Sequence, residues 1–316
     1  MLFSPEPLHI PDGFLHPVVA AIGWVLALIV IAVALRQTRR QLGERQVPWM
    51  GILAAFIFAA QAINFPVAAG TSGHLLGGTL AAIALGPWAA TLIMTAVIGV
   101  QAFIFQDGGL LALGWNILNM GVLTAFTGYL SYRWLHQMTG RTTAARVAAS
   151  FAAAWFSVEI GAIATAVELA VSGTSPLMIG LPAMAGVHAL IGVGEGVITS
   201  GAVSLLQTSR SEVLDAGEHA PGRASAAIVA IGLLLAIVVA AISPLASPSP
   251  DGLEFIAQQV GFLDRAMEST YSILPDYTIP FIENPVATTI LAVVMGTVVV
   301  FTLAWFMGRR VVHVER

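Results

Sequence analysis

Residues 17–40 read PVVAAIGWVLALIVIAVALRQTRR, and this stretch decides the fold. From Pro17 to Leu35 no residue is charged, and Arg36, Arg39 and Arg40 follow at once. A hydrocarbon layer about 30 Å thick takes about 20 apolar residues of helix to cross, so the segment is a membrane span with a cationic stop. The rest of the chain agrees: of 316 residues, 57% are hydrophobic and 9% are charged, whereas a soluble domain carries about a quarter charged residues. A net charge of −4 argues against a nucleic-acid partner. Cysteine is absent, so any bound metal must use nitrogen, oxygen or thioether ligands. The first span is not a cleavable signal, because such a peptide has a basic region ahead of its apolar run. Here Pro5, Glu6, Pro7, Pro11 and Asp12 come first.

Working outward from this span, the apolar runs predict further helices near 48–63, 88–105, 110–131, 143–171, 180–207, 224–243 and 286–307. The segment from His74 to Leu85 is about a dozen residues long and ends at Gly86-Pro87. It is expected as a short crossing completed by its neighbours, with any irregular backbone buried in protein. Counting it, the chain is an all-α integral membrane protein of about nine transmembrane segments. The charges support that count. There are 13 arginines and no lysine. Nine crossings place Arg36, Arg39, Arg40, Arg45, Arg133, Arg141, Arg146, Arg210, Arg223, Arg309, Arg310 and Arg316 on one side, with Arg265 alone opposite. The positive-inside rule then puts the N-terminus outside and the C-terminus in the cytoplasm of a multi-pass inner (plasma) membrane protein.

The outer face therefore holds the N-terminal stretch, the loop NFPVAAGTSGH, the QDGG turn and a long loop from Pro244 to Asn284. That loop carries Asp251, Glu254, Asp264, Glu268, Asp276 and Glu283. It reads either as an ordinary solvated loop or as a surface that concentrates cations. Among seven histidines, His136, His219 and His313 lie with charged residues on the inner side and suggest no role. His9, His16 and His74 lie outside beside Gly-rich backbone. Any one alone reads as a surface or capping residue, but together they make a metal site plausible.

Three motifs add a resemblance. His9-Ile10-Pro11-Asp12-Gly13-Phe14-Leu15, Gly70-Thr71-Ser72-Gly73-His74-Leu75-Leu76-Gly77-Gly78 and Val187-His188-Ala189-Leu190-Ile191-Gly192-Val193-Gly194-Glu195 resemble signatures of the CbiM/NikM family. Its members are substrate-binding subunits of energy-coupling-factor (ABC-type) importers for cobalt and nickel, the former linked to cobalamin biosynthesis. Pro250-Asp251-Gly252-Leu253-Glu254 resembles the small PDGLE partner of the NikN/CbiN type. The resemblance implies residues 8–208 as the metal-binding domain, 209–223 as a cytoplasmic linker and 224–316 as a fused PDGLE domain of two helices around an outer loop. Residues 1–7 form an extension.

It also implies a site. Family members bind the metal through a free terminal amine, the backbone nitrogen and imidazole of the next histidine, and the imidazole of the Gly-rich loop. Carried over, the histidines are His9 and His74, and the amine belongs to Leu8. Four nitrogens in a plane suit Ni²⁺ or Co²⁺ over tetrahedral Zn²⁺, and proton competition weakens capture at acid pH. Seven residues precede Leu8, so three readings stand: a start at Leu8 itself, trimming of the extension, or replacement of the amine by His16. Asn64, Ser72, His188 and Glu195 are expected around the ligands, the last two sharing a helix face seven residues apart. Gln61, Asn64, Asn116 and Asn119 are candidates to hold the His74 loop. Glu159 and Glu168 read as interhelical hydrogen-bonding groups. Ala55-x-x-x-Ala59 permits close helix approach; in the family it resembles, a motif of this sort docks the transmembrane coupling subunit, but in so alanine-rich a chain the pattern reads first as chance. The chain has no G-x-x-x-x-G-K-[ST] and no H-E-x-x-H. It is expected not to be an enzyme, to hold no resident cofactor, and to rely on separate ATPase and coupling subunits while carrying Ni²⁺ or Co²⁺ as cargo. A self-sufficient secondary metal transporter and an intramembrane metalloenzyme are the alternatives.

Overall fold

The computed structural model describes residues 9–44, 46–140, 142–214 and 226–312. Leu8, His219, His313, Arg45, Arg141, Arg223 and Arg316 lie outside them. Helix α1 spans Pro17–Gln41. Pro17 is preset for a first turn, and the exposed His16 caps it by accepting a 3.3 Å hydrogen bond from Val18 N at Nδ1. Its large side chains Val18, Ile22, Val25 and Ile29 face outward, as a lipid-facing surface requires. Gly23, Ala27 and Ala34 face inward, and Trp115 donates across the Gly23 contact to Val19 O at 2.7 Å.

Helix α2 (Val47–Gln61) is apolar all round, and only three of its fifteen residues escape burial. A helix of that kind belongs in a core. It is enclosed by α4 (Pro87–Val100), α9 (Ala226–Ala241) and α11 (Pro285–Val312), with Gly296 against Phe58 and Gly232 against Ile52. Ala55 and Ala59 are both 0% exposed. That alanine pair is occupied inside the molecule, so it is not a free docking face for another subunit.

After α2 the chain makes a two-residue antiparallel pairing, β1 (Phe65–Pro66) with β2 (Ser72–Gly73). An irregular stretch through His74 follows, then α3 (Gly78–Leu85). The short segment expected as helical from His74 thus begins four residues later, with His74 on loop backbone. Eight residues of helix rise about 12 Å, too little to cross alone. Past α4 and a π-helical turn (Gln101–Phe105), a continuous helix forms from α5 (Leu113–Asn116), a π-helical run (Ile117–Leu123) and α6 (Thr124–Met138). Helices α7 (Thr143–Val171) and α8 (Leu177–Leu214) pack side by side.

Among the described residues six helices are long and apolar enough to cross a membrane. The other three expected crossings differ from these six: α2 and α3 are short, and the helix from Leu113 to Met138 carries Asn116, Asn119 and further polar residues that lower its hydropathy. The loop between Pro244 and Asn284, expected on the outer face, is not simply solvated. It contains α10 (Gly252–Val260), whose Leu253, Ile256 and Ala257 pack with Ile10, Phe14 and Leu15 of the N-terminal stretch.

Candidate metal-binding site

The N-terminal stretch is fastened at each of its motif residues. Asp12 Oδ1 accepts from Leu111 N (2.8 Å) and Ala112 N (3.1 Å), satisfying donors that the start of the following helix leaves open. Gly13 sits at φ +93°, where a Cβ would collide with the Arg265 carbonyl. Asn116 holds Ile10 from both sides, accepting from its N–H and donating to its carbonyl, each at 3.1 Å. Asn116 therefore anchors this stretch, not the His74 loop as expected.

His9, 3% exposed, is thereby fixed over the QDGG turn. Its Nδ1 lies 3.0 Å from Asp107 Oδ1 and 3.1 Å from the Asp107 carbonyl. Those acceptors make Nδ1 the protonated nitrogen and turn Nε2 into the free donor, buried with no hydrogen-bond partner. Asp107 is 2% exposed and takes a 2.7 Å hydrogen bond from the Tyr277 hydroxyl. Burial alone lowers the His9 pKa, but the charge and hydrogen bonds of Asp107 outweigh it and leave the pKa raised. Burial first, and then Asp107, push the Tyr277 phenol well up, so Tyr277 remains a donor. A carboxylate behind a ligating histidine is the usual orienting device at metal sites.

His74 is positioned by a second set of bonds. Glu195, 0% exposed, accepts from Leu76 N at 2.6 Å and Gly77 N at 2.9 Å. Gly77 has φ +82°, a conformation glycine adopts without penalty. Gln61 donates to Leu76 O at 2.8 Å. Ser72 Oγ donates to Ser249 O at 2.7 Å, tying the loop to the segment before α10. Asn64 is buried, and its carbonyl accepts from Ser247 N at 2.7 Å. His74 Nδ1 faces its neighbour's carbonyl, Leu75 O, at 3.0 Å, which again favours Nε2 as the donor nitrogen.

The two rings meet with centroids 5.7 Å apart and planes at 88°. With metal–nitrogen bonds of about 2.0–2.1 Å, each ring centre lies about 3.2 Å from the ion. Two imidazoles on one ion are then about 4.5 Å apart if cis and about 6.4 Å if trans. The observed 5.7 Å lies between the two values, and it is also within the range at which aromatic rings pack edge to face. Beside the rings is a cavity of about 70 Å³, lined by His9, His74, Asn119, Thr165, His188 and Asp251 among others. His188 Nδ1 is 2.8 Å from Met184 O. Asp251 caps α10, accepting from Glu254 N at 2.7 Å. Burial pushes its carboxyl up to about 7, against the opposing pull of that hydrogen bond.

The structure thus brings His9, His74 and His188 to one cavity, with Glu195 and Ser72 holding the loop that bears His74. It leaves His16 out as an alternative ligand, because its ring is exposed and used as a helix cap. Asp107 and Tyr277 escaped the sequence reading, and Asp251 was read as a loop charge. The signal for Asp107 was a lone acid in a Gly-rich turn, on the same face as the histidine stretch in the proposed topology. Among the described residues no group of three or more His, Cys, Asp or Glu side chains forms a ready metal cage. Two imidazoles would need further nitrogen or oxygen donors.

Comparison with known proteins supports the resemblance at full length. Residues 9–213 match the model of the CbiM family, the cobalt uptake substrate-specific transmembrane region, and residues 226–313 match the PDGLE domain. A protein of Archaeoglobus fulgidus assigned as a fused nickel transport protein, NikMN, is 36% identical over 304 residues, covering 96% of this chain and 98% of its own. The cobalt transport protein CbiM of Sorangium cellulosum is 32% identical over 66% of this chain and 95% of its own length. A crystal structure of a transition metal transporter superposes with a TM-score of 0.58 at 34% identity, covering 65% of this chain and 94% of the other. The chain is a multi-pass membrane protein that belongs to the CbiM family and carries a fused PDGLE domain.

Proposed function

We propose that this chain captures Ni²⁺ or Co²⁺ at the outer face of the membrane and delivers it for ATP-dependent import, as the substrate-specific subunit of an energy-coupling-factor transporter. The observation that carries the reading is the pair of buried imidazoles, His9 and His74, which meet edge to face at a separation that one ion between them allows. His9 Nε2 stands buried and unpartnered, and in this reading the metal satisfies it. Nε2 points away from the main chain, so a chelate with the His9 backbone nitrogen and an amine at residue 8 would instead use Nδ1 and require the ring to turn from Asp107. Nitrogen ligands without sulfur fit nickel and cobalt alike, and the nickel relatives lean the reading toward nickel.

Nine crossings with the N-terminus outside complete the proposal. Leu80 and Ile83 of α3 cluster with Tyr132, Ala149 and Val203, next to the arginine-bearing helix ends at Arg133 and Arg146. The loop bearing His74 and α3 would then share one crossing, the loop supplying the outer half. Coupling and ATPase subunits are separate chains in this reading.

The test is His74→Ala in purified protein. We expect tight nickel binding to vanish while the variant inserts and keeps its helix content. Unchanged nickel and cobalt affinity would remove His74 from the site. Uptake measured in cells with and without the ATPase and coupling subunits separates this reading from a self-sufficient transporter, which needs neither.

A further inference from the structure

Next to the paired imidazoles lies a polar cluster that the capture site does not use. Asn119 and Thr165 both line the cavity that His9 and His74 line. Asn119 Nδ2 donates to Glu168 Oε2 at 2.9 Å and to Thr165 Oγ1 at 3.2 Å. Glu168 and Asn119 are 5% and 4% exposed. Yet the other oxygen of each, Glu168 Oε1 and Asn119 Oδ1, is buried with no hydrogen-bond partner. A buried unsatisfied oxygen is costly, so each of these two acceptors calls for a further partner beyond the bridge between α7 and the helix bearing Asn119. The ion pair found in this region, His9–Asp107, does not include Glu168. Asn119 also lies in the π-helical run Ile117–Leu123, and such distortions recur where a helix serves a site.

We propose that Glu168 Oε1 and Asn119 Oδ1 form a second subsite for a partly hydrated divalent cation, adjoining the capture cavity through Asn119, which lines it, with Glu168 behind and hydrogen-bonded to Asn119. Asn116, which holds Ile10 beside His9, is three residues before Asn119 on the same helix, about 4.5 Å of rise. The ion therefore has a short step from nitrogen ligands to oxygen ligands. One carboxylate, one amide and waters bind divalent transition metals more weakly than imidazoles do. A weaker second stop lets a tightly captured ion leave the first. The inference rests on the capture reading above, which assigns His9 and His74 as the tight site.

The full chain in detergent tests it with two probes read separately. Mn²⁺, which favours oxygen ligands, is followed by loss of the free-ion paramagnetic resonance signal. Ni²⁺ at the nitrogen site is followed by its d–d absorption. Glu168→Gln is expected to weaken Mn²⁺ binding at least about tenfold, the scale of losing one metal-site partner, and to leave the Ni²⁺ band unchanged. Glu168→Asp should restore part of the Mn²⁺ affinity, and His74→Ala should abolish the Ni²⁺ band while sparing Mn²⁺. Wild-type Mn²⁺ binding in Glu168→Gln, or equal loss of Mn²⁺ and Ni²⁺ in that variant, would overturn the second subsite. Absence of any Ni²⁺ band in the wild type would instead overturn the capture reading, leaving the Mn²⁺ result to stand or fall alone.

Discussion

Glu195→Gln isolates what holds the His74 loop. Glu195 accepts two backbone hydrogen bonds, from Leu76 N at 2.6 Å and from Gly77 N at 2.9 Å, one through each carboxylate oxygen. Glutamine keeps the shape but presents an NH₂ to one of those donors. One buried N–H then loses its partner, at about 1–3 kcal/mol, and the other loses the charge-assisted part of its bond. A net penalty of about 2–3 kcal/mol follows. If it falls on the population of loops able to bind, it weakens nickel affinity about 30- to 150-fold, at tenfold per 1.4 kcal/mol. If the penalty falls on folding instead, thermal stability drops and affinity holds. Nickel titration calorimetry on detergent-solubilised protein, beside thermal unfolding of the metal-free form, separates these outcomes. Gln61→Met is the control. It removes one neutral bond to the same loop, Gln61 to Leu76 O, worth about 1 kcal/mol, so it should cost about fivefold with no change of charge. Glu195→Gln within twofold of wild type in both affinity and stability would refute the loop-holding role.

Asp107→Asn should weaken nickel binding about 10- to 100-fold, because the amide orients His9 less firmly than the carboxylate. Since Asp107 also raises the His9 pKa, the fall in nickel affinity on acidification should move to lower pH in this variant, as titrations from pH 8 to 5 would show. Single cysteines replacing Phe281 and Thr142, both exposed, should react with an impermeant thiol reagent only from outside and only from inside, respectively; both reacting from one side would rule out nine crossings in this order. A protein beginning with Met directly before His9 should bind nickel at least about tenfold more tightly than one with residues 1–7 retained, because an added residue displaces the amine by up to about 3.6 Å. Equal affinities by calorimetry would take the amine out of the site.

The membrane helices could be read in the sequence because each is a continuous apolar run, and lipid-facing runs such as α1 need no partner to be recognised. Thr143–Val171 has the bounds its apolar run predicts, whereas the last helix, Pro285–Val312, continues five residues past the expected end at 307, through Arg309 and Arg310. The π-helical run at Ile117–Leu123 was not visible, since no residue type marks it. Helix α10 was also missed. It is nine residues long in an acidic loop, and its apolar face matters only once Ile10 and Phe14 are laid against it. His9 and His74 could be picked out because histidine is scarce and glycine surrounds it. Asp107 and Tyr277 could not. Their roles arise from a contact between residues 170 positions apart, which neither local pattern nor composition encodes.

That long-range contact bears on why the two domains share a site. His9 and His74 come from the CbiM-matched region, and so does Asp107. Tyr277 and Asp251 come from the PDGLE-matched region. In the proposed function, two neutral imidazoles bring no charge to the ion, while Asp107 and Asp251 together bring two negative charges close by. Without a metal, two buried carboxylates side by side are costly. The empty site relieves that cost through the proton on His9 beside Asp107 and through the raised carboxyl of Asp251. With a divalent ion bound, the same groups sum to zero charge, and a neutral buried assembly carries little desolvation penalty. One of those two carboxylates reaches the cavity only because α10 packs on Ile10, Phe14 and Leu15. In this reading the fused domain would supply half of the charge that balances the ion, while its Tyr277, donating to Asp107, would keep the other carboxylate aimed at His9.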